Sequence, residues 1–417
     1  MSRALQKPKG LTVKLDRTYK NHDRATSRYM KQAKPREAAS LFLSTTAAAP
    51  APDAPPAERK QWTVLYYGAA DNDLYDYIYK DVSHMEQVGS DPQANLVVQL
   101  DHRKGTTQRY LIQKDTATSD PLKIDSPVLQ DLGATNMSDP QNLSDFIKWG
   151  IKQYPAEHYI LVVADHGKGW KGCCADESHK GWMDLTQLKD GLATAQKDTG
   201  VKLDIVGFDA CLMASTEVAY QLKDMANYMV ASQEVEGQEG WPYNLILDPT
   251  ALQSLSMSAA ISPHAGEPKQ IAQYLVSRTS KENQTLPTMS AIDLGRIGGV
   301  ANAAKELKDA ILTDKVSGKA LRILRKEAQN FAYFNDLHDF ADRLKDSDVA
   351  SNQVKEKARL LSEALDSSVI AEQHSEKYPR AHGLTAELRW PKGYEKTDFA
   401  KATGWNELIN YMNTNPA

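Results

Sequence analysis

Cysteine is scarce in this chain: Cys173, Cys174 and Cys211 are the only three in 417 residues. Scarcity excludes a disulfide-stapled fold, and a bridge between the adjacent Cys173 and Cys174 would be strained. Long hydrophobic runs are missing. None approaches the ~18–20 residues of a membrane span, and no apolar stretch at the N-terminus reads as a standard secretory signal. Charge of one sign is missing too. Fifty Lys and Arg against 54 Asp and Glu leave a net charge of −4, so no global attraction to nucleic acid or a membrane surface is expected. The ten histidines are scattered and form no zinc-spaced cluster with cysteine, so no metal site is expected. No internal repeat is visible. What remains, 41% hydrophobic and 25% charged, is ordinary for a globular protein. The length suits a core domain with accessory segments, or two domains.

Three regions follow. Residues 1–60 form a basic arm and an Ala/Pro-rich linker. Residues 1–40 hold eleven Lys or Arg against three Asp or Glu, a composition expected to stay disordered and suited to a pro-segment. The linker STTAAAPAPDAPPA should be extended. Residues 61–250 alternate strand-like and helix-like segments, which predicts an α/β layered fold. Trp62 to Tyr67, 95–101, 109–115, 159–164 and 203–208 read as strands, and 139–154 as a helix with Asp139 as N-cap and Pro140 in its first turn. The near-continuous apolar runs YILVVA and LDIVGF suit parallel strands covered on both faces. Residues 251–417 turn helical, with apolar residues three to four apart over 269–280, 298–314, 319–332 and 352–370. Within them, 288–294 and 383–391 are strand-like and are expected to return to the core sheet.

Two of the apolar runs stop abruptly at reactive side chains. HYILVVADHGKGW places His166 just past its strand, and LDIVGFDACLMASTEVAYQL does the same with Cys211, 45 residues later. In an open α/β sheet, catalytic groups gather beyond the carboxyl ends of strands. A thiol and an imidazole there are the parts of a nucleophile system. The order, with His about 50 residues ahead of an Ala-Cys pair, is that of caspases and the reverse of papain-type enzymes. A lone cysteine is ordinarily a buried structural thiol; the matching His166 argues against that here. The helical pattern after Cys211 puts its sulfur near a helix N-terminus, which would lower the thiol pKa. Gly167 lets the backbone approach a substrate closely.

Together ADHGKGW, GFDACLMASTEVAYQL, ASQEVEGQEGWPYNLIL, WTVLYYGAADNDL and HGLTAELRWP resemble the clostripain-type cysteine peptidases of the larger caspase-like group, over about residues 61–415. The resemblance implies a caspase-like α/β/α sandwich with a mostly parallel central sheet and a C-terminal helical accessory region. It also implies endopeptidase action after Arg or Lys through a dyad of Cys211 and His166. The backbone N–H groups of Gly167 and Cys211 would serve as oxyanion donors. Maturation by cleavage between the two catalytic residues is implied as well, and a secreted or cell-envelope setting is suggested. Calcium activation, found in some relatives, has no support in spacing: Asp71–Asn72–Asp73 and Asp176–Glu177 match no defined calcium loop and read as turns and caps.

Substrate-contacting residues are expected nearby. Asp209, two residues before the nucleophile, could hold a cationic side chain as the trypsin pocket's aspartate does, or brace its loop. Glu234, Glu236 and Glu239 could form the opposite wall, with Glu239 beside Trp241 the first choice. Trp241 and Trp170 could line the cleft. Residues 168–184 read as an exposed polar loop, with Lys180 its best self-cleavage site and Lys60 in the linker a second target. The expected partners are peptides or proteins carrying Arg or Lys, acted on by a monomer without a required cofactor. Two other readings stand beside this one: a non-catalytic scaffold binding basic peptides, and a metal-dependent hydrolase using Asp165 and His166.

Overall fold

A computed structural model describes residues 59–103, 106–115, 123–247, 267–282, 286–389 and 392–415. The basic arm and the Ala/Pro linker STTAAAPAPDAPPA therefore lie outside the described residues. The described strands, in chain order, are β1 (Lys60–Gly68), β2 (Ala94–His102), β3 (Thr106–Leu111), β4 (Val128–Asp131), β5 (Ala156–Ala164), β6 (Cys173–Asp176) and β7 (Gly181–Met183). They continue with β8 (Leu203–Asp209), β9 (Ala226–Ala231), β10 (Thr288–Asp293), β11 (Asn330–Phe331), β12 (Phe334–Asp336), β13 (Val369–His374) and β14 (Thr385–Ala386).

Nine strands form the main sheet in the order β13-β10-β9-β8-β5-β1-β2-β3-β4. The five central strands, β9, β8, β5, β1 and β2, run parallel. Antiparallel strands β10 and β13 close one side and β3 and β4 the other. Such a sheet needs cover on both faces, and the alternation of side chains supplies two apolar surfaces. Leu65, Tyr67, Leu161, Val163, Val206 and Phe208 face a core shared with helices Pro140–Gln153, Leu185–Thr199 and Ile297–Thr313. Val64, Tyr66, Ile160, Val162 and Ile205 face the other core, under helices Tyr75–Glu86 and Pro268–Glu282. This is the expected α/β layering. Asp139 caps its helix by accepting the Gln141 N–H, with Pro140 at the first position. Leu185–Thr199 opens on a capping box of Asp184 and Gln187 and ends at the left-handed Gly200.

The later segments differ in detail from the periodicity. Strand β10 occupies the strand-like 288–294, but the neighbour that completes the sheet is β13, which continues directly from the helix Asn352–Ser368. Of the strand-like 383–391, only Thr385 and Ala386 pair, and they do so in a small sheet with β12. Helices Leu337–Asp346, Asn352–Ser368 and Trp405–Thr414 bury Phe340, Leu361 and Ile409 in the first core. No helix among the described residues is long and apolar enough to cross a membrane.

Candidate active site

Strands β5 and β8 pair in parallel with Ala164 opposite Asp209. Two residues further along each strand stand His166 and Cys211. The 45-residue spacing read from the sequence is thus the register of the two strands. Neighbouring strands lie about 4.8 Å apart, so the two side chains issue from adjacent positions on one sheet edge. Gly167 is required there. A Cβ at this position would lie 2.3 Å from the Cys211 carbonyl oxygen. The backbones of the two motifs therefore touch.

On the other side of β5, the turn after β1 supplies a residue the sequence does not mark. Asp73 Oδ1 lies 2.7 Å from His166 Nε2. Its neighbour Asn72 braces the edge: Nδ2 donates to Asp165 Oδ1 at 2.8 Å and to the carbonyls of Ala69 and Ala175. Asp165 also accepts the Ala175 N–H and is held by burial well above the usual carboxylate range. It is a brace between strand and hairpin, which leaves the metal-hydrolase reading without its second ligand.

The environment of Cys211 corrects one expectation. The helix that follows begins only at Thr216, capped by Ser215, and has seven residues. Cys211 instead sits in a tight turn, and Leu212 beside it adopts a left-handed φ of 67°, a sparsely populated conformation for a branched side chain. The sulfur gains no helix terminus. Burial pushes the thiol up to about 12, and the carboxyls of Glu236, Glu234 and Asp209 add to the rise. The Sγ points to the Glu236 carbonyl, 4.0 Å away.

Below the thiol, Asp209 closes β8. It accepts the Tyr243 hydroxyl at 2.8 Å and the Trp241 N–H at 3.2 Å. Gly240, with φ +57°, passes so close that a Cβ would lie 2.9 Å from Asp209 Oδ2. Of the three glutamates, Glu236 meets Asp209. The two carboxyls adjoin, and burial together with the adjacent Asp209 pushes Glu236 well above the usual carboxylate range. Asp81, on the buried face of Tyr75–Glu86, joins them electrostatically and accepts the Tyr66 hydroxyl at 3.3 Å. Three acids are thus gathered in the core, and no ion pair neutralises any of them among the described residues. Glu239, the first choice from sequence, points elsewhere: it is half exposed and pairs with Lys80 at 2.5 Å. Trp241 is 1% exposed, its ring packed beneath Gly207 and stacked on Tyr243. Its contribution to Asp209 is a backbone one.

Residues 168–184 are more ordered than a polar loop. A short 3-10 turn, Gly169–Lys171, leads into the hairpin β6–β7. Cys173 and Cys174 are buried in it as free thiols. The turn, Glu177 to Lys180, is exposed, as is Asp184 at the far end, and Lys180 has φ 54°. Lys168 and Lys171 lie over the rings of Trp182 and Trp170, and Trp170 donates to Glu387 at 2.9 Å.

A family model for peptidase C11, the clostripain family, matches residues 66–411. Clostripain from Hathewaya histolytica is 29% identical over 222 residues, covering 45% of this chain. The match takes in 41% of that relative's length. A secreted C11 cysteine protease from Bacteroides thetaiotaomicron superposes with a TM-score of 0.64 at 17% identity, over 83% of this chain and 100% of that one. An inactive zymogen C11 protease from Parabacteroides distasonis gives 0.61 at 20% identity, over 83% and 99%. At such identities the structural likeness is one of fold: the caspase-like α/β arrangement built around the parallel strands.

Proposed function

The chain belongs to the clostripain family of cysteine peptidases, and on that premise we propose an endopeptidase that cuts after Arg or Lys, with Cys211 as nucleophile and His166 as proton carrier. His166 takes the thiol proton, and the Cys211 thiolate attacks the scissile carbonyl, forming a C–S bond as the C=O bond opens to a tetrahedral oxyanion. The N–H groups of Gly167 and Cys211, which donate to no other described residue, receive that charge. Collapse breaks the C–N bond as His166 protonates the leaving amine. Water then hydrolyses the thioester. Asp73 Oδ1, 2.7 Å from His166 Nε2, holds the ring in place.

The observation that carries the specificity is the buried trio Asp209, Glu236 and Asp81. Burying carboxyls without a cation is unfavourable, and a substrate guanidinium or ammonium is the partner they lack. The same contact bears on chemistry. Burial first, and the carboxyls of Glu236, Glu234 and Asp209 after it, hold the thiol protonated, and a cation beside Asp209 offsets part of that rise. A substrate with the right side chain thereby favours the thiolate that attacks it.

Hydrolysis of Arg and Lys amide reporters tests the proposal. Wild type should turn them over, a thiol alkylator should stop it, and Cys211→Ala and His166→Ala should be inactive. Asp209→Asn should lose about 2–4 kcal/mol of transition-state binding for Arg over a neutral side chain, read as kcat/KM. Unchanged selectivity in that variant would assign Asp209 to bracing its loop. Tight binding of Arg peptides by wild type without any turnover would instead favour the scaffold reading.

A further inference from the structure

The turn that carries Cys211 is held from outside. Segment 232–236, which follows β9, runs beside it. The Ala214 N–H donates to the Ser232 carbonyl at 2.9 Å, and the Leu212 N–H donates to the Glu234 carbonyl at 3.2 Å. The Cys211 Sγ lies 4.0 Å from the Glu236 carbonyl. Alternate residues of the segment thus meet the turn, and the middle one is Glu234. Leu212, whose N–H it takes, is the residue with the left-handed φ of 67°. Backbone in that region persists only where its surroundings over-determine it. Glu234 is itself fixed: its N–H donates to Ser232 Oγ at 3.2 Å and to Thr288 Oγ1 at 3.1 Å.

The carboxylate of Glu234 reaches the C-terminal region. It accepts the Val235 N–H at 2.8 Å and adjoins the Tyr378 hydroxyl and the Ala332 N–H, two donors that favour its ionised form. A carboxylate can accept from all three at once; an amide cannot. Ala332 and Tyr333 form the tip of the hairpin β11–β12, between the paired Phe331 and Phe334. Ala332 has φ 41°, at a position of a two-residue hairpin that glycine favours. The same hairpin meets the His166 motif. A Cβ on Gly169 would lie 2.9 Å from the Phe334 ring and 3.2 Å from the Leu212 carbonyl oxygen. One hairpin therefore abuts both halves of the site, and two left-handed residues, Leu212 and Ala332, converge on one glutamate. We propose that Glu234 is a positioning residue for Cys211: its carbonyl pins the nucleophile turn, and its carboxylate ties that turn to the tip of β11–β12. The proposal deepens the peptidase reading and rests on it for the role of the thiol. It also gives the C-terminal region a part in the site.

The test follows Cys211 itself. Full-length chains are alkylated with iodoacetamide across a range of pH, and labelling is read by mass spectrometry on the peptide that holds Cys211, whether or not the chain has been cut. Kinetics on an Arg amide reporter are measured alongside. Glu234→Gln keeps the shape, removes the charge and leaves a donor unmet, and its near-ultraviolet circular dichroism should stay native. The Glu234 carboxyl opposes the thiolate, so the alkylation midpoint should fall by about 0.5–1 pH unit. Its kcat should fall about tenfold with KM little changed. Glu234→Asp keeps the charge and shortens the reach, so the midpoint should stay at its wild-type value while kcat again falls. Tyr378→Phe removes only a hydroxyl and keeps the ring against Phe331; it should lower kcat about threefold at unchanged KM. Full kcat in folded Glu234→Gln and Glu234→Asp chains would overturn the proposal, as would full kcat in Tyr378→Phe if neither glutamate variant folds. An alkylation profile of Glu234→Gln identical to wild type would overturn it too. That readout needs no turnover: a wild type that cleaves no reporter sinks the peptidase reading and leaves the alkylation comparison to decide this one.

Discussion

Asp73 shows what a single residue can add without announcing itself. It stands in a polar turn, where an acid ordinarily reads as a turn former. Only the sheet order brings it to His166: β1 is the neighbour of β5 on the side away from β8. That His166 and Cys211 stand side by side was legible, because two apolar strands each stop two residues before a reactive side chain. The acid that meets Asp209 was not. Glu234, Glu236 and Glu239 share one segment with no periodicity, and only folding buries Glu236 against Asp209 while leaving Glu239 to Lys80. Asp73 acts through His166, so it is a positioning residue. Asp73→Asn should lower kcat for an Arg reporter by about 10–100-fold with KM little changed. Asp73→Glu should recover part of that loss. A matching rise in KM, with kcat intact, would place Asp73 in substrate binding instead.

At the scale of elements, the long strands were readable and the short ones were not. Strands β6 and β7 have four and three residues, too few for a period to show against their Gly, Cys and Trp content. Strand β13 was hidden differently. It follows the helix Asn352–Ser368 with no Gly or Pro between them, so its first residues continue the helical pattern. The hairpin makes the self-cleavage proposal more definite. Lys168 and Lys171 are held over tryptophan rings, whereas Lys180 is exposed at the turn. Exposed turn tips are where chains are nicked. Wild-type protein should therefore separate on a denaturing gel into two pieces, the second beginning at Gly181. Lys180→Gln and Cys211→Ala should each remain whole. An intact wild-type chain with full activity would rule out processing here.

For the molecule as a whole, the two-faced core was foreseeable from apolar runs, but the acids inside it were not. Glu217 is an example. It lies fully buried in the helix after Cys211, takes the Glu387 N–H and the Tyr394 hydroxyl, and is pushed by burial up to about 7. Its other oxygen has no partner among the described residues. An acid raised in the folded state binds its proton more tightly there than in the unfolded chain. The folded protein thus gains stability that is complete below about pH 4 and fades as pH rises through 7. For Glu217 the swing is about 3 kcal/mol. Thermal melts of the Cys211→Ala chain should accordingly show Tm falling between pH 5 and 8. Glu217→Gln should flatten part of that slope, and an unaltered slope would mean the carboxyl is already ionised in the fold.

The parallel pairing of β5 with β8 has a consequence for the fate of a severed chain. A cut after Lys180 leaves β1 to β6 on one piece and β7 to β14 on the other. The five register pairs between Ile160–Ala164 and Ile205–Asp209 join the pieces across the break. Either piece alone would present a naked strand edge, apolar on both faces, of the kind that aggregates. Cleavage therefore turns one polypeptide into two obligate subunits that were never free to meet as strangers. They should travel together through any native separation, and once unfolded apart they have no independent fold to return to.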